Sequence, residues 1–131
     1  MHRANYIGAP EAYNLNNVCT VINEAFPGYG CFLVGSSIER RDFRDVDVRF
    51  IMDDHEFDRI FSGCTLNYSV NALWSLMCAS ISEWLSSRTG LKIDFQIQRQ
   101  TDANEQYPNK PRQHLGMFVH KDTSDGAQDT K

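Results

Sequence analysis

Positive charge is scarce in this sequence. Against 17 Asp and Glu stand 13 Lys and Arg, a formal net charge of −4, which disfavours a broad electrostatic grip on nucleic acid, since that grip is built from many cation–phosphate contacts. Long apolar runs are missing too: nothing approaches the ~20 apolar residues of a membrane-spanning helix. The opening Met-His-Arg-Ala-Asn-Tyr also lacks the apolar stretch of a signal peptide. No membrane contact and a cytoplasmic location are the resulting expectations. Cysteine is confined to Cys19, Cys31, Cys64 and Cys78, widely scattered and without the paired spacing of a zinc or redox site. They read as buried free thiols in a reducing compartment. His2, His55, His114 and His120 show no metal-ligand spacing either, and no internal repeat is present.

What is there is the composition of an ordinary globular chain, 41% hydrophobic and 23% charged over 131 residues, enough for one core. One domain over residues 1–119 is expected, followed by a polar tail over 120–131 with too little apolar surface to order itself. Leu15, Val18, Cys19, Ile22, Ala25 and Phe26 recur at helical spacing within residues 10–26, and Pro27-Gly28 stops the helix. Cys31 to Val34 reads as a strand covered on both faces, and Asp45 to Met52 as the next strand. Asp53-Asp54 caps a short helix running through Phe61, and residues 63–68 read as a loop. Val70, Leu73, Trp74, Met77, Cys78, Ile81, Trp84 and Leu85 mark a long helix that Gly90 closes. Residues 91–98 alternate as a third strand, with Leu91, Ile93, Phe95 and Ile97 inward. Residues 99–112 suggest a loop or short helix crossing the end of the sheet, and 115–119 an edge strand or a docked segment. The simplest packing is α/β, or α+β: a small mixed sheet with helices on one face and an open second face.

That open face collects the chemistry. Side chains alternate along a strand, so Asp45, Asp47 and Arg49 share one face while Val46, Val48 and Phe50 share the other. Asp94, flanked by Lys92 and Gln96, points outward from the third strand. Two carboxylates two residues apart suit magnesium, a hard cation that keeps waters and takes one or two protein carboxylates besides substrate phosphates. A second metal roughly 4 Å from the first would need a carboxylate from a neighbouring strand, and Asp94 supplies one. Gly35 lets backbone amides approach a polyphosphate, Ser36 adds a hydroxyl, and Ser37 extends the same turn. Arg40, Arg41 and Arg44 in the following loop are candidates for forked contacts to phosphate oxygens. Each piece alone has an ordinary reading as a turn, a solvated strand face or a basic loop; the case rests on their order and combination.

The run Cys-Phe-Leu-Val-Gly-Ser-Ser (31–37), a spacer, Asp45-Val46-Asp47, and Asp94 in Leu-Lys-Ile-Asp-Phe-Gln-Ile (91–97) together resemble the nucleotidyltransferases of the DNA polymerase beta type. The resemblance covers residues 10–98, with a spacer loop shorter than in many members. It implies a minimal nucleotidyltransferase fold that moves a nucleoside monophosphate from a nucleoside triphosphate, ATP among the candidates, to an acceptor hydroxyl with Mg²⁺ or Mn²⁺. On it Asp45, Asp47 and Asp94 would hold metal and carry catalysis, and Gly35, Ser36, Ser37, Arg40 and Arg44 would bind nucleotide. The acceptor stays open among a protein hydroxyl, an RNA end and a small molecule. The chain has no room for a separate acceptor domain, so a helical partner protein or a homodimer is expected to help. Two other readings stand beside it: a nucleotide-binding or regulatory module of the same fold without turnover, and a structural module whose acidic sheet docks a basic protein.

Overall fold

The structure is a computed structural model that describes residues 5–61, 71–106 and 108–118. The expected loop at 63–68 and the polar tail at 120–131 lie outside the described residues. In chain order the elements are α1 (Ala9–Ala25), β1 (Gly30–Val34), α2 (Ser36–Glu39), β2 (Val46–Met52), α3 (Asp54–Ile60), α4 (Ala72–Thr89), β3 (Ile93–Arg99), α5 (Gln100–Gln106) and β4 (Gln113–Leu115). Local signals account for most of their ends. Pro10 opens α1, where its missing N–H costs nothing. The Asp53 carboxylate accepts from the Glu56 amide at 2.8 Å to cap α3, and Asn71 Oδ1 accepts from the Trp74 amide at 2.9 Å to cap α4. Such caps satisfy amides that a first turn leaves unpaired. Gly90, left-handed at φ 79°, ends α4.

The strands form one mixed sheet in the order β3-β2-β1-β4. Strand β2 runs antiparallel to β1 and parallel to β3, and β4 pairs antiparallel with the other edge of β1. Cys31, Leu33, Val48, Phe50, Phe95 and Ile97 point to one face, where they join Leu15, Cys19 and Ile22 of α1 and Trp74, Cys78 and Leu85 of α4 in the hydrophobic core. Cys19, Cys31 and Cys78 are buried free thiols, as expected. The apolar stripe of α4 is not wholly buried: Leu73 is 46% exposed, while Trp74 and Leu85 face the core.

One flank of the sheet is sealed by side chains. Trp74, Cys78, Ser82 and Ser86 stand four residues apart, so they line one side of α4 and lie along the outer edge of β3. Trp74 Nε1 donates to the Ile97 carbonyl at 2.8 Å, and the Ile97 amide donates to Cys78 Sγ at 3.5 Å. Ser82 Oγ accepts from the Phe95 amide at 2.8 Å and donates to its carbonyl at 3.3 Å, and Ser86 Oγ accepts from the Ile93 amide at 3.0 Å. On the opposite flank Asn23 of α1 is buried and plays a similar part. Its Oδ1 accepts from the Cys31 amide at 2.9 Å, and its Nδ2 donates to the carbonyls of Leu115 and Met117 at 3.0 and 2.9 Å. The edge strand lies at Gln113–Leu115, ahead of the expected 115–119, where Gly116 and Met117 instead dock on α1 through Asn16, Thr20 and Asn23.

The second face departs from expectation in one respect. It is not bare, because α5 packs over the end of it that carries the C-termini of β2 and β3. Gln98, on the same face as Asp94, donates to Gln106 of α5 at 2.9 Å, and Ala103 of α5 is fully buried. Among the described residues, helices therefore cover one face and part of the other, leaving open the end where β2 and β3 begin. No helix among the described residues is long and apolar enough to cross a membrane.

Candidate functional site

Parallel pairing fixes the centre of the site. Asp47 of β2 is the register partner of Asp94 of β3, and Val34, the last residue of β1, partners Asp47 from the other side. Residues paired in register project to the same face, so the two carboxylates stand side by side at the open end. Asp45 differs from expectation. It lies in the bend before β2, which begins at Val46, because the ladder to β3 starts only where the Val46 amide donates to the Lys92 carbonyl at 2.8 Å. Its carboxylate pairs with Lys92 Nζ at 3.4 Å.

Gly35 sets the other wall. Its backbone, at φ 84° and ψ −157°, occupies a region essentially closed to residues with a side chain. A Cβ placed there would also collide with the Asp47 carboxylate. The glycine thus lets the Asp47 carboxylate lie against the turn that follows β1. Burial pushes the Asp47 carboxyl above its ordinary value, with Asp94 and Asp45 adding to the rise and Arg49 opposing it. A carboxylate held among other acids in partial burial is a group that a cation would relieve.

The turn itself is helical rather than a loop. Ser36 opens α2, a single turn whose Ser36 carbonyl accepts from the Arg40 amide at 2.7 Å. Ser36 is partly exposed. Ser37, expected to extend the phosphate turn, is fully buried, and its hydroxyl has no hydrogen-bond partner among the described residues. Its carbonyl is taken by the Tyr6 amide at 2.8 Å. Ser37 is therefore closed to a ligand in this state, because the segment before α1 crosses over it. Arg40, Arg41 and Arg44 are exposed. Arg40 pairs loosely with Asp42 at 3.7 Å, and none of the three is drawn onto the carboxylates.

The residue that sequence reasoning placed on this face without giving it a task is Arg49. The residue is only 5% exposed. Nη1 donates to the Asp94 carbonyl at 2.7 Å and to the Val48 carbonyl at 3.2 Å, and Nη2 meets Asp94 Oδ2 at 3.3 Å. A buried cation must be paired, and strand alternation alone put this one beside Asp47. Its position on the face was legible; its bond across to β3 required the parallel register. Beyond Asp94, between β3 and α4, lies an open cavity of about 230 Å³ to which Asp94, Gln96, Trp74 and Ser75 contribute.

The donor set suits a hard cation of the Mg²⁺ kind, being carboxylate oxygen throughout. Among the described residues no three His, Cys, Asp or Glu side chains converge closely enough to hold a metal unaided. Asp47 and Asp94, with Asp45 nearby, fit the arrangement in which protein supplies one or two carboxylates and substrate phosphates and water supply the rest. Comparison with protein families, with characterised proteins and with solved structures finds no match to this chain.

Proposed function

We propose that the chain is a minimal metal-dependent nucleotidyltransferase. The observation that carries this reading is the register pairing of Asp47 with Asp94, with the Gly35 turn lying against the Asp47 carboxylate. In the reaction an acceptor hydroxyl oxygen attacks the α-phosphorus of a nucleoside triphosphate, the bond to the bridging oxygen breaks, and pyrophosphate leaves with the electron pair. Asp94 stands where it can take the hydroxyl proton, and Arg49 holds one of its oxygens in place. Gly35 and Ser36 offer the triphosphate a short approach to backbone, while exposed Arg40, Arg41 and Arg44 lie in the same β1–β2 connection. Bound Mg²⁺ would be held by Asp47 and Asp94 with help from Asp45, and supplies charge neutralisation on the phosphate oxygens. One change of arrangement is required, since Lys92 must release Asp45. An exposed pair of this kind holds by only ~0–1 kcal/mol.

A second reading, nucleotide binding without turnover, draws on the fact that Arg49 and Lys92 already pair with Asp94 and Asp45. Transfer of label from α-³²P nucleoside triphosphates, measured alongside Mn²⁺ binding by electron paramagnetic resonance, separates the two. The proposed enzyme transfers label, and Asp47→Asn or Asp45→Asn lowers transfer at least about 100-fold, close to 3 kcal/mol of transition-state stabilisation. Triphosphate binding with no transfer supports the second reading. Failure to bind triphosphate with either metal removes both.

A further inference from the structure

The two flanks of the carboxylates differ in charge. On the β1 side lie Gly35 and the connection that bears Arg40, Arg41 and Arg44; on the β3 side lies the 230 Å³ cavity under α4, whose lining among the described residues holds no Lys, Arg or His. Among the described residues Asp94 is the one charged group in that lining. Trp74, Cys78 and Ser82, which also line it, spend their polar atoms on the β3 backbone, so the Gln96 amide and the Asp94 carboxylate are what β3 offers an occupant. We infer that this cavity receives the acceptor, and that the acceptor is a compact hydroxyl compound without phosphate. The inference rests on the proposed nucleotidyl transfer.

Three observations lead there. First, sheet order puts the two flanks on opposite sides of Asp47 and Asp94, so a triphosphate on the β1 side and a hydroxyl from the β3 side would meet over the carboxylates. Second, a cavity of about 230 Å³ is smaller than the ~300–1,000 Å³ of ordinary small-molecule sites, which fits one sugar ring or one amino-acid side chain. Third, an RNA end would bring phosphates beside Asp94, where among the described residues the cavity lining adds no cation and Arg49 and Lys92 are already paired with Asp94 and Asp45. A like-charge contact of that kind opposes binding, and the chain's net charge of −4 adds to the opposition. The reaction stays balanced as written above: the acceptor oxygen gains phosphorus, its proton passes to Asp94 and on to solvent, and pyrophosphate departs.

The test uses the full chain with Mg²⁺ and the four α-³²P nucleoside triphosphates in three arms. One offers glycerol, free serine and glucose; the second offers the tripeptides Gly-Ser-Gly and Gly-Tyr-Gly; the third offers a short RNA with a free 3′ hydroxyl. Label is expected in the first or second arm, and which of the two distinguishes a small molecule from a protein side chain. Ala79→Phe, at an exposed position on the cavity wall, is expected to raise the acceptor KM about 10-fold or more while leaving the Kd of a fluorescent triphosphate with Mn²⁺ within about twofold. Ser75→Trp, also exposed, is expected to do the same and guards against a misfolded first variant. Label on RNA, or an acceptor KM unmoved by both variants, overturns the inference. Triphosphate binding with label in no arm, or loss of triphosphate binding in the unaltered chain, would instead strike the proposed function itself.

Discussion

Gly35→Ala separates two physical claims about the site. The substitution places a side chain at φ 84° and ψ −157°, a region whose occupation costs about 1–3 kcal/mol for residues other than glycine. The new Cβ also meets the Asp47 carboxylate, and overpacking of that sort costs about 1–3 kcal/mol. A total near 3 kcal/mol is expected, which is roughly a 10 °C fall in Tm for a chain of this size. Urea unfolding followed by tryptophan fluorescence measures it. The same substitution in an Asp47→Ala background removes the collision and keeps the backbone strain, so about 1–2 kcal/mol should be recovered as coupling between the two positions. Equal costs in both backgrounds would refute the account of Gly35 as a seat for Asp47, and a cost below about 0.5 kcal/mol in either would refute the backbone argument as well.

Further outcomes follow from the same geometry. Because the Asp47 carboxyl is pushed above its ordinary 3.8 by burial first and neighbouring acids second, its protonated form is the one the fold favours. The associated stability is complete below pH 3.8 and is lost as pH rises through the raised value; Asp47→Asn should therefore unfold at a higher temperature than the parent at pH 7, the gap closing in acid, as calorimetry across pH will show. Asn23→Ala leaves the Cys31 amide and the Leu115 and Met117 carbonyls without their partner and should destabilise by about 3 kcal/mol, with amide exchange fastest around residues 115–118. Ser82→Ala removes two hydrogen bonds to Phe95 and should cost about 1–2 kcal/mol in the same urea assay, whereas Ser87→Ala, whose hydroxyl bonds only within α4, should cost less.

Much of this architecture was readable before any coordinates. Alternation in Val46–Met52 and 91–98, helical spacing in α1 and α4, and the caps at Asp53 and Gly90 are local signals, and local physics fixed those elements to within a residue or two. What escaped reading was set by partners distant in sequence. Asp45 falls outside β2 because ladder formation waits for Lys92, some forty-five residues on. The inward turn of Ser37 depends on Tyr6, and nothing between Gly35 and Asp45 announces it. Helix α2 is a single turn in a stretch whose arginines suggested a loop. Ser82 and Ser86 of α4 look like solvent-facing residues until β3 is laid beside them. For the site, strand parity revealed which acids share a face, but only the parallel register showed that Asp47 and Asp94 are neighbours and that Arg49 bridges to the latter.

The hydrogen bonds that α4 makes to Ile93, Phe95 and Ile97 have a meaning for the life of the chain at high concentration. A stray peptide or a second copy seeking to lengthen the β3 side finds its docking rail already occupied, and would have to peel away a helix of 18 residues before the first rung could form. On the far side β4 offers only three residues, too short a template to hold a guest. Self-addition into fibrils is thereby resisted from both margins.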